Sequence, residues 1–120
     1  MLQILHNARC GKSRDCLAFI TESKQHFEII NYLENPLNVD ELKALIKKLK
    51  IKPIELVRQK ETIWIDKYKG KSLTDPDIIK ALAKHPILIE RPIVIDGDKA
   101  IIGRELTKLK TLFNKPLGHV

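Results

Sequence analysis

The sequence lacks the cysteines and the long apolar runs that would mark an exported or membrane-spanning protein. It has two cysteines in 120 residues, and nowhere do about 18 apolar residues follow one another. Its first residues carry no cationic leader and no small-residue cleavage site, so we expect a cytoplasmic protein with reduced thiols and no membrane contact. The four histidines and two cysteines show no spacing typical of zinc ligands, and a metal is not expected.

Aromatic residues are also scarce, at 5% of the chain, although the net charge is +7. A protein that binds nucleic acid usually gathers its basic side chains on one stripe or alternates them with aromatic side chains that stack on bases. Here 17 lysines are scattered along the chain without a basic block. Nucleic acid is therefore not an expected partner, while the charge still favours a negatively charged partner of some kind.

What the chain does contain is a set of apolar patterns typical of one α/β domain over residues 1–120. Residues 1–33 predict a strand, a helix and a second, parallel strand. Residues 38–85 predict a helical insert, and residues 92–114 predict an antiparallel hairpin about a tight Asp-Gly turn, followed by a last helix. This order predicts a thioredoxin-like (glutaredoxin-like) fold with one mixed sheet of about four strands.

The helical insert has three predicted helices. Asn38 and Glu41 form a capping box before the first of them. Pro53 can occupy the first turn of the second, "PIELVRQK". Asp75 and the following proline begin the third.

The stretch "HNARCGKSRDC" places Cys10 where the first strand ends and the first helix begins. The free N–H groups and the dipole of that helix favour the thiolate, and they would also hold an oxyanion beside the sulfur. Gly11 lets the backbone approach a ligand, and Ser13 is placed to cap the helix. The other polar or basic neighbours in this stretch are His6, Asn7, Arg9, Lys12 and Arg14.

The alternative for Cys10 is a small buried side chain of the core, since free cysteine is among the most buried residue types. Its polar and basic neighbours cannot all be buried cheaply, which favours a reactive thiol. Cys16 lies six residues along the predicted helix, about 9 Å from Cys10 between Cα atoms. A disulfide needs less than about 7 Å, so we expect no redox pair and a structural role for Cys16.

The chain resembles the glutaredoxin-linked arsenate reductase family, in its shorter subgroup, over nearly its whole length. Five segments carry the resemblance in the expected order: "HNARCGKSR", "NYLENP", "ELVRQKE", "HPILIERPIVI" and "IIGRE". The resemblance implies a thioredoxin-like fold with Cys10 as the catalytic cysteine and with Arg58, Arg91 and Arg104 as oxyanion ligands. The forked donors of arginine suit such an anion. Pro92 resembles the cis-proline that such folds place opposite the active cysteine.

The resemblance also implies an oxidoreductase of arsenic detoxification. The Cys10 thiolate would attack arsenate to form a covalent adduct, which glutathione then attacks and glutaredoxin reduces, so that arsenite leaves. Arsenate is then the substrate, glutathione a co-substrate and glutaredoxin a partner. No cofactor would be tightly bound, and we expect a monomer.

Two alternatives share this fold. A general glutathione-linked thiol-disulfide oxidoreductase would act on mixed disulfides without arsenate. A redox-regulated RNA-polymerase-binding regulator would suit the basic surface, but such proteins usually carry C-x-x-C, and Ser13 stands at the second cysteine position here.

Overall fold

The computed structural model of the chain describes residues 2–7, 10–22 and 26–102. Four strands lie within these ranges: β1 (Leu2–Leu5), β2 (Phe27–Ile30), β3 (Ile93–Asp96) and β4 (Lys99–Ile102). The α-helices there are α1 (Gly11–Glu22), α2 (Val39–Leu49), α3 (Thr62–Lys67) and α4 (Asp75–Lys84). The last predicted helix, within 92–114, lies outside the described residues.

The strands form one mixed sheet in the order β2-β1-β3-β4. β1 runs parallel to β2, as a helical crossover requires, and antiparallel to β3, which pairs antiparallel with β4. The two central strands, β1 and β3, bury neighbouring residues that point to opposite faces of the sheet, such as Ile4 and Leu5. The predicted thioredoxin-like α/β fold is confirmed.

The β3–β4 hairpin closes tightly because Asp96 pairs directly with Lys99. The two residues between them, Gly97 and Asp98, form the loop, so the predicted turn is shifted by one residue. Gly97 has a φ of +63°, which a first loop residue of a type II′ turn needs and which glycine adopts without steric cost.

Helix α1 packs on one face of the sheet through residues one turn apart. Cys16 and Ile20 meet Leu2 and Ile4 of β1 and Val94 of β3 in one buried cluster. The cluster fixes the start of α1 relative to the end of β1, which is where the predicted site lies.

The chain divides into two compact units. One contains the described residues up to Ile30 and from Arg91 onward, and therefore the whole sheet. The other is residues 31–90, and it contains the predicted insert. Within this second unit α2 packs against α4, and the predicted capping box of Asn38 and Glu41 is confirmed at the start of α2.

The prediction of a helix over "PIELVRQK" is wrong. Only Pro53–Leu56 form a short 3-10 turn, after which Val57 pairs in an antiparallel bridge with Ile89. Backbone hydrogen bonds flank this bridge, from Arg58 N to Leu88 O at 2.7 Å and from Glu90 N to Leu56 O at 2.8 Å. This pairing with a distant segment holds the chain extended where local pattern favours a helix.

Candidate active site

Cys10 occupies the position immediately before α1, and its backbone is fixed there by two hydrogen bonds. Its carbonyl accepts the N–H of Arg14 at 3.0 Å, and its own N–H donates to the carbonyl of Asn7 at 3.0 Å. The thiol is half-buried. The N–H groups of the first helical turn lack carbonyl partners within the helix, so they are available to a group at this N-cap position.

The environment of Cys10 favours the thiolate. Burial acts to raise the pKa, but it is outweighed by hydrogen bonds from the Ser13 N–H, the Arg91 side chain and the Lys12 N–H, together with the charge of Arg91. The pKa of Cys10 therefore lies below its ordinary value of 9.0. The structure thus gives the sulfur the kind of environment typical of reactive cysteines.

Sheet pairing explains how Arg91 reaches Cys10. Leu5, the last residue of β1, lies opposite Ile93, the first residue of β3. The segment that follows β1 and the segment that precedes β3 therefore meet at the same end of the sheet. Arg91 is only 9% exposed, and the Arg91–Pro92 peptide bond is cis, the geometry that the family resemblance implies for Pro92.

Ser13 does not cap α1, and that prediction is wrong. The helix begins at Gly11, two residues earlier, and the Ser13 side chain is fully buried beneath the loop. Its Oγ accepts the backbone N–H of Asn7 at 3.0 Å and lies 2.8 Å from Nδ1 of His6. The hydroxyl therefore holds the loop before Cys10 against the helix that follows, a role that the linear sequence does not reveal.

The surroundings of His6 lower the pKa of its imidazole. Burial lowers its pKa, a hydrogen bond with the Ser13 backbone opposes that effect, and the charge of Arg14 lowers the pKa further. The net direction is downward from 6.5. A neutral imidazole offers one donor and one acceptor nitrogen, so either tautomer can bond the Ser13 hydroxyl. The structure therefore shows His6 as a partner of the Ser13 side chain beside the loop.

The remaining loop residues contribute less through their side chains. Lys12 and Arg14 are exposed, and Lys12 reaches the sulfur through its backbone N–H. Among the described residues, a Cβ added to Gly11 would meet the Arg14 side chain at an ordinary van der Waals distance of 3.7 Å. Arg9 lies outside the described residues.

Two of the three predicted oxyanion ligands are not placed beside Cys10 by the described structure. Arg58 belongs to the unit of residues 31–90, where its Nε lies 3.7 Å from a carboxylate oxygen of Glu61. It follows an extended bridge rather than lying on the predicted helix. Arg104 lies outside the described residues. Arginine beside the thiol is thus shown for Arg91 alone, and the roles of Arg58 and Arg104 remain predictions.

Cys16 differs from Cys10 in every respect that governs thiol reactivity. It is 1% exposed and lies in the core cluster under the sheet. Burial raises its pKa to about 11, so it stays protonated at neutral pH. Its environment is that of a structural thiol.

The described residues hold no group of three or more histidine, cysteine, aspartate or glutamate side chains that could bind a metal ion. Among these residues, no helix is both long and apolar enough to cross a membrane.

The fold and the site together define a thioredoxin-like protein whose N-cap cysteine accepts a hydrogen bond from an arginine side chain. The sequence model of the ArsC family matches residues 5–112. The chain belongs to the ArsC family.

Several relatives of known name are similar to this chain over most of both lengths. An arsenate reductase of Neisseria meningitidis is 35% identical over 117 residues, which are 92% of this chain and 97% of that protein. An arsenate reductase of Haemophilus influenzae is 41% identical over 104 residues, or 84% of this chain and 89% of that protein. The structure of an arsenate reductase from Vibrio cholerae has a TM-score of 0.87 at 36% identity, covering 92% of this chain and 95% of that one.

Proposed function

We propose that this chain is an arsenate reductase in which Cys10 is the nucleophile. The observation that carries the proposal is the half-buried Cys10 sulfur at the start of α1, with its thiolate favoured by two backbone N–H groups and by Arg91. Proteins of similar sequence and length carry the name arsenate reductase. The same donors that favour a thiolate suit a tetrahedral oxyanion next to it.

The chemistry begins with attack of the Cys10 thiolate on the arsenic atom. An S–As bond forms, and one arsenate oxygen leaves as water after protonation. Two thiols then reduce As(V) to As(III) as they become a disulfide, and water hydrolyses the S–As bond, so that arsenite leaves and the Cys10 thiolate is restored. Because Cys16 is buried and protonated, those thiols come from outside the chain.

Glutathione and glutaredoxin are the proposed source of the external thiols, with glutathione as co-substrate and no tightly bound cofactor. Arg58 and Arg104 are the proposed further ligands of the oxyanion, since arginine keeps its charge and offers paired donors. We place the reaction in the cytoplasm, where glutathione keeps thiols reduced, and we propose that the chain acts as a monomer.

The test measures arsenite release with arsenate, glutathione and glutaredoxin supplied. Cys10→Ser should abolish turnover because an alcohol at this position stays protonated at neutral pH and is a weak nucleophile. Cys16→Ala is the matched control, since it removes the other thiol, and it should keep most of the activity. Equal loss in both variants, or no arsenite from the unmodified chain, would refute the proposal.

The alternative of a general thiol-disulfide oxidoreductase is tested with the same preparation. A glutathionylated peptide is offered in place of arsenate. Turnover of the peptide together with no arsenite release would replace our proposal by this alternative.

A further inference from the structure

The two cysteines of the chain differ in how a small oxidant can reach them. Cys10 is half-buried at the start of α1, whereas Cys16 is 1% exposed in the core cluster. The pKa of Cys10 lies below its ordinary value, while burial raises the pKa of Cys16 to about 11. Exposure and thiolate character decide which cysteine a peroxide oxidises. An oxidant therefore meets one reactive sulfur in this chain.

The hydrogen-bond donors at the Cys10 sulfur suit an oxygen atom that joins the sulfur or leaves it. They are the Ser13 N–H, the Arg91 side chain and the Lys12 N–H. When a thiolate attacks a peroxide, one oxygen bonds to the sulfur and the other leaves with negative charge. Donors already held beside the sulfur stabilise that charge as it develops. Arg91 is only 9% exposed, so water screens its positive charge less than that of an arginine at the surface.

No second thiol of the chain can capture an oxidised Cys10. Sensors with two cysteines resolve a sulfenic acid by forming a disulfide with a neighbouring thiol. The chain has no third cysteine, and Cys16 packs with Leu2 and Ile4 in the core cluster, where its raised pKa keeps it protonated at neutral pH. An oxidised Cys10 therefore depends on a thiol from outside the chain. Without one it reacts with more peroxide to give a sulfinic acid, which thiols do not reduce.

We propose that Cys10 is a site of reversible oxidation, at which a hydroperoxide forms a sulfenic acid and glutathione then forms a mixed disulfide. In the first step the sulfur attacks one peroxide oxygen, the O–O bond breaks, and the other oxygen leaves as water or an alcohol after protonation. In the second step the glutathione thiolate attacks the sulfur, an S–S bond forms, and the sulfenic oxygen leaves as water. Cys10 and glutathione each supply one of the two electrons that reduce the peroxide. The reaction needs no arsenate and gives Cys10 a further electrophile beyond the proposed function.

The first test exposes the reduced, folded protein to hydrogen peroxide and glutathione at neutral pH. Intact mass spectrometry should show one glutathione per chain, peptide mapping should place it on Cys10, and dithiothreitol should remove it. Glutathione without peroxide should add nothing. The absence of an adduct with both reagents present, or an adduct on Cys16, would overturn the proposal.

Variants test why Cys10 is the site. Cys16→Ala and Cys10→Ser are a matched pair, since each removes one of the two thiols, and only Cys10→Ser should prevent the adduct. Arg91→Gln should slow its formation at neutral pH by about three- to tenfold, because fewer sulfurs are thiolates and the remaining thiolates are only partly compensated by higher nucleophilicity. Lys43→Gln removes one positive charge from an exposed position of α2 and should leave the rate unchanged. Equal rates in Arg91→Gln and Lys43→Gln would overturn the proposed role of the donors.

Dimedone tests the order of the two steps because it reacts with a sulfenic acid and not with a thiol or a disulfide. With peroxide alone it should label Cys10, and added glutathione should compete with the label. Prolonged peroxide without glutathione should leave Cys10 beyond recovery by dithiothreitol, whereas glutathione present throughout should preserve a recoverable thiol. An adduct without a dimedone-reactive intermediate, or equal recovery in both samples, would overturn the proposal. None of these measurements uses arsenate, so their failure would leave the proposed arsenate chemistry intact.

Discussion

Single residues control the ionisation of Cys10 through two kinds of group. Ser13 and Lys12 act through backbone N–H groups, which any residue but proline supplies at those positions. Arg91 acts through its side chain, by a hydrogen bond and by its charge. Substitution of Arg91 is therefore the direct way to change the thiol without altering the helix start.

Arg91→Gln should raise the pKa of Cys10, because it removes the charge and weakens the hydrogen bond that favour the thiolate. The pH dependence of iodoacetamide alkylation measures this pKa. Lys43→Gln is the control, since it removes one positive charge from an exposed position of α2, in the unit of residues 31–90. An unchanged alkylation profile in Arg91→Gln would contradict the assigned contact.

Ser13→Ala should lower the free energy of unfolding by about 1–3 kcal/mol, because it removes the partner of the Asn7 N–H in a buried site. Urea unfolding measures the change. Ser72→Ala, at an exposed serine, should have little effect.

The same Ser13→Ala variant also shows whether the Ser13 hydroxyl affects the pKa of Cys10 as well as the stability of the fold. The Ser13 N–H that bonds Cys10 belongs to the backbone and is retained, so we expect the variant to alkylate with nearly the pH profile of the unmodified chain. A large shift of that profile would mean that the hydroxyl, rather than the N–H, controls the sulfur.

The part of the site that sequence could predict is the part set by local structure. Cys10 follows a strand and precedes a helix, so its position at a helix N-terminus follows from pattern alone. The role of Ser13 depends on a loop that folds back over the helix, and no local signal reports that contact. Only the family resemblance points to Arg91, because its approach to Cys10 depends on the β1–β3 pairing.

Helices and turns that depend on neighbouring residues can also be predicted from sequence, whereas those that depend on a distant segment cannot. Side chains within four residues of one another form the capping boxes of α2 and α4, and such boxes can be predicted from sequence. The short helix α3 was not predicted, because six residues give too little periodicity. Local pattern favours a helix over "PIELVRQK", and it misses the extended bridge of Val57 because the partner, Ile89, lies more than thirty residues away.

The end of α2 offers a stabilising change. Lys50 caps the helix with a φ of +56°, a left-handed conformation that glycine adopts without the clash of a Cβ. Lys50→Gly should raise the free energy of unfolding by about 0.5–1 kcal/mol, as measured by urea unfolding. Lys43→Gly, at an exposed position inside α2, should instead lower it by about 1 kcal/mol. Destabilisation by both would contradict the left-handed cap.

The whole molecule should lose stability as the pH falls below about 6.5. Burial, with nearby positive charge, lowers the folded-state pKa of both His6 and His85. The unfolded chain therefore binds protons first, and acid favours it. Urea midpoints at pH 7.5 and pH 5.5 measure the loss, which His85→Gln should reduce. A midpoint that does not fall would contradict the lowered pKa of both imidazoles.

The two cysteines should change the free energy of unfolding in opposite directions as the pH rises. The lowered pKa of Cys10 makes its contribution grow as the pH rises toward 9.0, the ordinary value for cysteine. Burial raises the pKa of Cys16 to about 11, so from pH 9 to 11 the unfolded chain loses that proton first and stability falls by up to about 2–3 kcal/mol. Unfolding of Cys16→Ala across this range should show a shallower decline from a starting value about 1 kcal/mol lower, whereas Cys10→Ser should keep the full decline. Identical declines in the two variants would mean that Cys16 is not held protonated in the core.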